Sequence, residues 1–349
     1  MSNFRGPDFF PSATLDALRR RAELLRVVRQ FFDNHGYVEV ETPILSRDVV
    51  VDAHLEPFCT VDTDGTELFL QTSPEFAMKR LLAAGATPEG CTAIYQITRA
   101  FRREETGRLH NPEFTILEWY RVGDTHREQM EFTEMLVRHV FAHFERQRQI
   151  ADTSSDSQLS TLNSQLFERL SYDEAFERYL GTRVLHLSGG ELRELAAGRG
   201  IPFPAGLTDD DRDEWLNLLL AACVEPGLAA AGPVFLYDYP ASQAALAVVR
   251  DERPPVAERF ELYVAGIELC NGYHELTDPD ELRRRIAEQA AIRARNNRRP
   301  LPADSRLLAA MWHGLPPCAG VALGIDRLAL LALGGESLGD VTAFPIERA

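Results

Sequence analysis

The stretch FRREETGRLHNPEFTILEWYR, residues 101–121, places a dense run of charge inside an alternating strand pattern. YQITRAFR (95–102) and EFTILEWYR (113–121) alternate apolar and polar residues, with a polar segment between them. This pattern predicts an antiparallel hairpin with a long loop, in which Phe114, Glu118 and Tyr120 share one face. Taken alone, the charges favour an exposed ladder of cross-strand ion pairs. The interleaved aromatic residues indicate that the sheet is more than a solvated edge.

Helices and further strands are predicted on both sides of this hairpin. Residues 14–35 have apolar residues at helical spacing, and an alternating strand at 37–43 ends in proline. Strands are predicted at 67–71, 233–240, 259–276 and 320–327, and helices after Ser73 and at 127–147 and 280–298. The polar stretch 151–166 predicts a surface loop or disordered insert. We therefore expect an α+β fold, with a mostly antiparallel sheet flanked by helices. One domain would span 1–349, with a helical insert at 150–225.

Composition limits the classes of function. A chain of 349 residues with 45% hydrophobic content can bury a sizeable core. The net charge of −16 argues against nucleic-acid binding through the overall field, although a local basic patch remains allowed. Five dispersed cysteines without a CxxC pair favour reduced thiols and a cytoplasmic location. We find no signal-peptide pattern and no stretch of membrane-spanning length.

Two later stretches carry residue types suited to a charged ligand. In GIELCNGYHEL (266–276), Glu268 and Glu275 would lie on opposite faces of an unbroken strand. A bulge at Asn271-Gly272 would bring both carboxylates to one side, where they would suit nucleotide-bound Mg²⁺. In GVALGIDR (320–327), the glycines allow close approach and Arg327 could hold a phosphate. A turn with surface glutamates and a packed strand-to-helix turn are the competing interpretations. There is no Walker A loop and no GxGxxG.

Together these motifs resemble the class II aminoacyl-tRNA synthetases. The helix–strand–proline element ending at Pro43, FRRE (101–104) and GVALGIDR are similar to the three signature motifs of that family. HNPEFTILEWY and GIELCNGYHEL resemble its lysyl branch. TSPEF (72–76), PASQAAL (240–246) and the GVALGIDRLALLALG ending resemble a truncated branch whose members join (R)-β-lysine to elongation factor P. The resemblance covers residues 12–349.

The resemblance implies a two-step ligase reaction. ATP, with Mg²⁺, would activate (R)-β-lysine or lysine as an aminoacyl-adenylate, and the acyl group would pass to a lysine of elongation factor P. It also implies a homodimer without an anticodon-binding domain. Ala322 stands where a lysyl-tRNA synthetase is expected to have glycine, and one methyl group can shift substrate preference by ~1–3 kcal/mol. Two other functions stay open: a minimal lysyl-tRNA synthetase-like enzyme with tRNA or a small molecule as acceptor, and a non-catalytic regulatory paralogue.

The resemblance also implies the roles of individual residues. Catalytic contacts with the phosphates would come from Arg102, Glu268 and Arg327. The full ATP site would comprise Arg102, Arg103, Glu104, His110, Asn111, Phe114, Glu268, Leu269, Gly324 and Arg327. The amino-acid pocket would comprise Ser73, Pro74, Glu75, Tyr120, Glu275 and Ala322. Glu268 and Glu275 would bind Mg²⁺, and Arg103 stands where asparagine is expected.

Overall fold

A sheet of nine strands forms the centre of the fold, which a computed structural model describes for residues 9–53, 55–85, 92–150 and 165–349. In chain order the strands are β1 (Val38–Glu39), β2 (Leu45–Ser46), β3 (Cys59–Val61), β4 (Glu67–Leu70), β5 (Ala93–Phe101), β6 (Glu113–Val122), β7 (Glu168–Ser171), β8 (Val234–Pro240), β9 (Val249–Arg250), β10 (Val256–Val264), β11 (Ile267–His274) and β12 (Cys318–Gly324). The order in the large sheet is β1-β5-β6-β12-β11-β10-β8-β7, with β9 beside β10. Its pairs are antiparallel except β1–β5 and β7–β8. The predicted α+β fold is confirmed.

Helices cover the sheet. In chain order they are α1 (Leu15–Asn34), α2 (Glu75–Ala83), α3 (His126–Ile150), α4 (Tyr172–Leu180), α5 (Gly189–Gly198), α6 (Arg212–Leu219), α7 (Glu225–Ala231), α8 (Pro279–Arg295), α9 (Arg306–Gly314) and α10 (Ile325–Leu333). The α1 helix begins where Thr14 Oγ1 accepts the Ala17 N–H at 3.1 Å. Its buried stripe, which includes Val28 and Phe32, packs with α3 and α10 in one apolar core.

The alternation of strand residues separates this core from the opposite face of the sheet. On β6, Leu117 and Trp119 are buried in the core shared by α1, α3 and α10. Glu118 and Tyr120, which alternate with them along the strand, lie on the other face of the sheet. There α2, α8 and α9 share a second apolar cluster with Tyr120. This arrangement leaves polar residues of the central strands exposed to a space bordered by α2 and α8.

The predicted helical insert begins with a strand that the sequence did not reveal. β7 pairs in parallel with β8, and Leu170 lies opposite Leu236. The helices α4 to α7 follow and pack against β7, β8 and β10 in a third apolar cluster, which includes Trp215. The predicted loop at 151–166 lies outside the described residues except for its last two positions. The single domain and the insert boundaries stay predictions.

The described helices and cysteines bear on the predictions about membrane spans and disulfides. None of the helices in these ranges is both long and apolar enough to cross a membrane. Cys59, Cys223, Cys270 and Cys318 are free thiols, in agreement with the reduced cysteines predicted from their spacing. Cys91 lies outside the described residues.

Candidate active site

A cleft of about 1620 Å³ lies on the face of the sheet opposite α1 and α3. Strands β6, β10, β11 and β12 form its floor, and α2, α8 and residues 204–217 form its walls. Sites for one small molecule usually enclose roughly 300–1,000 Å³, so this cleft has room for more than one reactant. The predicted site residues found in its lining are Ser73, Glu75, Arg102, His110, Asn111, Phe114, Tyr120, Glu268, Leu269, Glu275, Ala322, Gly324 and Arg327.

A β-bulge in β11 brings Glu268 and Glu275 to the same face of the sheet. The pairing of β11 with β10 skips Leu269, which is therefore the extra residue of the bulge. Both carboxylates line the cleft. The predicted convergence of the two glutamates is confirmed, but the predicted position of the irregularity was wrong. Asn271 and Gly272 pair regularly with both β10 and β12.

The deep end of the cleft holds a lysine between two carboxylates. The α2 helix begins at Glu75, whose backbone N–H donates to Ser73 Oγ at 3.0 Å. One turn later, Lys79 Nζ lies 2.6 Å from Glu75 Oε1, and it is also ion-paired with Glu275. The i, i+4 spacing places Glu75 and Lys79 on one side of the helix. Burial raises the pKa of Glu275 to about 8, although Lys79 opposes this rise.

Glu118 lies close to Glu75 and Glu275, and these three carboxylates with Lys79 form what we call the acidic end of the cleft. Ser73 Oγ donates to Glu118 Oε2 at 2.8 Å, and the Tyr120 hydroxyl donates to Oε1 at 2.6 Å. Burial raises the pKa of Glu118 to about 7, and the Glu75 carboxylate adds to this rise. The two hydroxyl donors act in the opposite direction. A buried group of carboxylates of this kind is suited to bind cationic ammonium groups.

Arg102 and Phe114 lie together where the hairpin enters the cleft. The guanidinium carbon of Arg102 is 5.0 Å from the centre of the Phe114 ring. Arg102 Nε donates to the backbone carbonyl of Thr72 at 3.2 Å, which fixes the base of the side chain. Its Nη1 is 3.7 Å from the Glu105 carboxylate at the cleft wall. A guanidinium beside an aromatic ring can bind a phosphate while the ring packs against a base.

The structure does not bring every predicted residue into the cleft. Arg103, Glu104 and Pro74 are absent from its lining. The Arg103 backbone N–H donates to the carbonyl of Glu56 at 2.9 Å, which ties the hairpin to residues 52–56. Glu104 adopts a φ of 71° and its carboxylate is 3.7 Å from Arg298 Nη2. The ATP contacts implied for Arg103 and Glu104 therefore stay predictions.

Arg327 reaches across the same region from the start of α10. Its Nη1 donates to the Glu268 backbone carbonyl at 2.7 Å, and its Nη2 donates to His110 Nε2 at 2.8 Å. Burial and the Arg327 charge lower the pKa of His110, consistent with a neutral ring that accepts this bond. Asp326, the preceding residue, accepts a backbone N–H of β6 at 2.9 Å and is ion-paired with Arg21 of α1. These contacts hold the start of α10 against the hairpin.

Glu268 is the more accessible of the two carboxylates that the sequence predicts to bind a metal ion. Its side chain is partly exposed to the cleft, whereas the Glu275 carboxylate is already paired with Lys79. Burial raises the pKa of Glu268, and the Glu261 carboxylate raises it further. Among the described residues no group of three or more metal-binding side chains is preformed. Mg²⁺ usually takes one or two carboxylates together with substrate phosphates, and the metal role of Glu268 and Glu275 stays a prediction.

Sequence reasoning placed Glu118 on the same face as Tyr120 and named Asn271 as a bulge position, but it assigned no site role to four polar residues of this region. Glu118, Asn271 and Glu261 line the cleft, and Lys79 lies directly behind it. Asn271 Oδ1 is buried without a hydrogen-bond partner among the described residues, so it is available to a ligand. The strand alternation that places Tyr120 could also have identified Glu118. No local signal identifies Glu261, because its proximity to Glu268 depends on strand pairing.

Comparisons with known proteins agree with this geometry. A family model described as "tRNA synthetases class II (D, K and N)" matches residues 4–348. A relative from Yersinia enterocolitica is 46% identical over 345 residues, which cover 97% of this chain and 98% of the relative. A relative from Vibrio cholerae is 45% identical over 347 residues, covering 98% and 99%. One from Salmonella dublin is 44% identical over 345 residues, covering 97% and 98%. All three carry the name elongation factor P–(R)-β-lysine ligase.

Proposed function

Because the chain belongs to the class II tRNA synthetases (D, K and N), we propose that it is an ATP-dependent ligase that joins (R)-β-lysine or lysine to elongation factor P. One observation carries the proposal: the same cleft contains a buried group of carboxylates and two arginines, Arg102 and Arg327, that could bind phosphates. Acidic groups fit the ammonium groups of a diamino acid, and arginines fit the phosphates of ATP. The names of relatives about 45% identical over nearly the whole chain support the choice of acceptor.

In the first step, the amino-acid carboxylate would attack the α-phosphate of ATP, and pyrophosphate would leave. Arg102 would hold the α-phosphate and stabilise the charge that develops on it. Phe114 and Arg327 would enclose the adenine, with His110 and Asn111 closing the loop over the nucleotide. Glu268 would hold Mg²⁺, whose positive charge would lower the cost of separating the phosphates. We assign Glu275 to the amino-acid pocket, since Lys79 occupies its carboxylate.

The acidic end would orient the amino acid for this attack. Glu75, Glu118 and Glu275 would pair with its ammonium groups, and Tyr120 would hold Glu118 in position through its 2.6 Å hydrogen bond. Ala322 of β12 pairs with Glu118 on one side and with β11 on the other, so its methyl group forms part of the pocket floor. No covalent enzyme intermediate is needed, because the substrate carboxylate is the nucleophile.

In the second step, the ε-amino group of a lysine on elongation factor P would attack the adenylate carbonyl and release AMP. Residues of the segment 204–217 also line the cleft and have no assigned role in ATP or amino-acid binding, so we assign this part of the cleft to the acceptor side chain. A net charge of −16 disfavours tRNA as the acceptor. A homodimer is part of the same proposal, and sedimentation equilibrium tests it.

Purified protein, ATP and labelled amino acid test the proposal in two stages. We expect ATP–pyrophosphate exchange that requires (R)-β-lysine or lysine, followed by transfer of label to elongation factor P. Elongation factor P with arginine at its acceptor lysine is the control and should stay unlabelled. Absence of exchange with either amino acid would support the non-catalytic paralogue instead. Label on tRNA rather than on the protein would support the lysyl-tRNA synthetase-like alternative.

A further inference from the structure

Lys79 is the only lysine in the chain. Arginine accounts for all the other members of the 37 lysine and arginine residues. Because every other lysine-or-arginine position holds arginine, the surroundings of this one lysine decide whether a guanidinium could take its place. Lysine differs from arginine in being a compact point charge with three donors on a straight stem.

The surroundings of Lys79 give the physical reason for this choice. The residue is only 1% exposed, and its Nζ lies between the carboxylates of Glu75, at 2.6 Å, and Glu275. The same Nζ is 5.9 Å from the centre of the Tyr120 ring. A planar guanidinium is wider than an ammonium group and would push the two carboxylates apart. The lysine therefore sets the distance between them.

Lys79 itself does not line the cleft, whereas both of its carboxylate partners do. It can therefore act on a ligand only through Glu75 and Glu275. Together with Glu118, the acidic end contains three carboxylates and one ammonium group. A bound cationic ligand favours the ionised form of each carboxylate, and with all four groups ionised their charges sum to two negative charges. A diamino acid such as lysine or β-lysine brings two ammonium groups, which match this value.

The following inference rests on the proposed function. We propose that Lys79 is a positioning residue: it fixes Glu75 and Glu275 and neutralises one of the negative charges of the pocket. As a result, the pocket selects amino acids with two ammonium groups. Without Lys79, Glu275 is a buried carboxylate whose two oxygens have no other hydrogen-bond donor among the described residues. Such a group moves or loses its charge, and the pocket then loses one of its fixed anionic contacts.

A double-mutant cycle on Lys79 and Glu275 tests the inference. Lys79→Met, Glu275→Gln and the double variant are compared with wild type in ATP–pyrophosphate exchange, with separate KM values for ATP, lysine and norleucine. We expect Lys79→Met to raise the lysine KM at least about tenfold and to leave the ATP KM within about twofold. Its preference for lysine over norleucine, which lacks the second ammonium group, should fall.

The double variant distinguishes charge balance from packing. It removes the unpaired carboxylate and restores two net negative charges, so its Tm and its preference for lysine should exceed those of Lys79→Met alone. If Lys79→Met does not fold, the double variant is compared with Glu275→Gln, which keeps Lys79 and therefore has only one net negative charge. The double variant should then show the higher preference for lysine over norleucine. Arg293→Met is the matched control, because Arg293 is equally buried and ion-paired but lies outside the pocket. It should lower Tm without a selective effect on lysine.

The outcomes separate the two claims. Wild-type protein without lysine- or β-lysine-dependent exchange would overturn the proposed function, and this inference with it. If the wild-type protein is active, additive effects in the cycle would overturn the role of Lys79 and leave the proposed function standing. Equal increases of the ATP KM and the lysine KM in Lys79→Met would have the same meaning.

Discussion

Replacement of Gly320 by alanine should damage the amino-acid pocket while sparing the ATP site. Gly320 lies on β12 opposite Tyr120, and a Cβ atom there would be 2.2 Å from Tyr120 Cε1 and 2.7 Å from Glu275 Oε1. Carbon atoms pack at about 3.7 Å, so the ring would have to move by roughly 1.5 Å. A shift of that size breaks the 2.6 Å hydrogen bond from Tyr120 to Glu118.

Loss of a buried hydrogen bond to a carboxylate costs about 1.5–3 kcal/mol. At 1.4 kcal/mol per tenfold change, the KM for lysine or β-lysine should rise roughly 10- to 150-fold. The assay is ATP–pyrophosphate exchange with either the amino acid or ATP varied. The ATP KM should stay within about twofold, because the atoms nearest to the added methyl group belong to Tyr120 and Glu275, which are assigned to the amino-acid pocket.

Gly272→Ala provides a matched control on the neighbouring strand. A Cβ atom at Gly272 would be 2.4 Å from Phe260, a contact as severe as that at Gly320 but located in the apolar core on the other face of the sheet. Overpacking there should cost roughly 1–3 kcal/mol of stability. Gly272→Ala should therefore lower Tm without a selective rise in the amino-acid KM. Equal kinetic effects of the two substitutions would refute the assignment of Tyr120 and Glu275 to the amino-acid pocket.

Three further predictions address other parts of the molecule. Arg102→Ala and Glu268→Ala should each lower exchange by about 10³-fold or more with Tm retained; near-normal exchange in either variant would contradict its phosphate role. Since burial raises the pKa of Glu118 to about 7 and an ammonium group binds the ionised form, the amino-acid KM should rise roughly tenfold per pH unit below 7. Glu118→Gln should make that limb of the pH profile shallower, and the dependence that remains is assigned to Glu275, whose pKa burial raises to about 8. Arg293→Met should lower the free energy of unfolding by about 3–5 kcal/mol, measured by urea denaturation, because Glu56 and three backbone carbonyls lose their donor.

Sequence patterns were sufficient for elements whose signals are local. The hairpin of β5 and β6 follows from two alternating runs with a polar loop, and α1 follows from its apolar stripe. β7 was not predicted, because a strand of four residues between helical patterns shows little periodicity. Its pairing with β8 also joins segments that are distant in the chain. The bulge was predicted at Asn271-Gly272, whereas the extra residue is Leu269, because strand patterns do not tell which residue is the extra one.

The residues of the candidate site divide in the same way. Motif resemblance led to Arg102, Tyr120 and Arg327, all of which line the cleft. It also led to Glu104, which the left-handed backbone conformation at that position turns toward Arg298. Contacts between distant segments, such as the ion pair of Lys79 with Glu275, depend on the packing of α2 against the end of β11 and have no sequence signature.

The burial of Lys79 has a consequence for the chemistry of the surface. A lysine ε-amine is a nucleophile toward activated acyl groups when it is exposed and uncharged. Burial alone would lower the pKa of Lys79, but Glu275 and Glu75 raise it far above its ordinary value, so the group stays protonated and enclosed. The remaining cations of the chain are arginines, which do not serve as acyl acceptors at neutral pH. A protein that generates a lysine-reactive acyl group would thus expose no lysine of its own to self-modification.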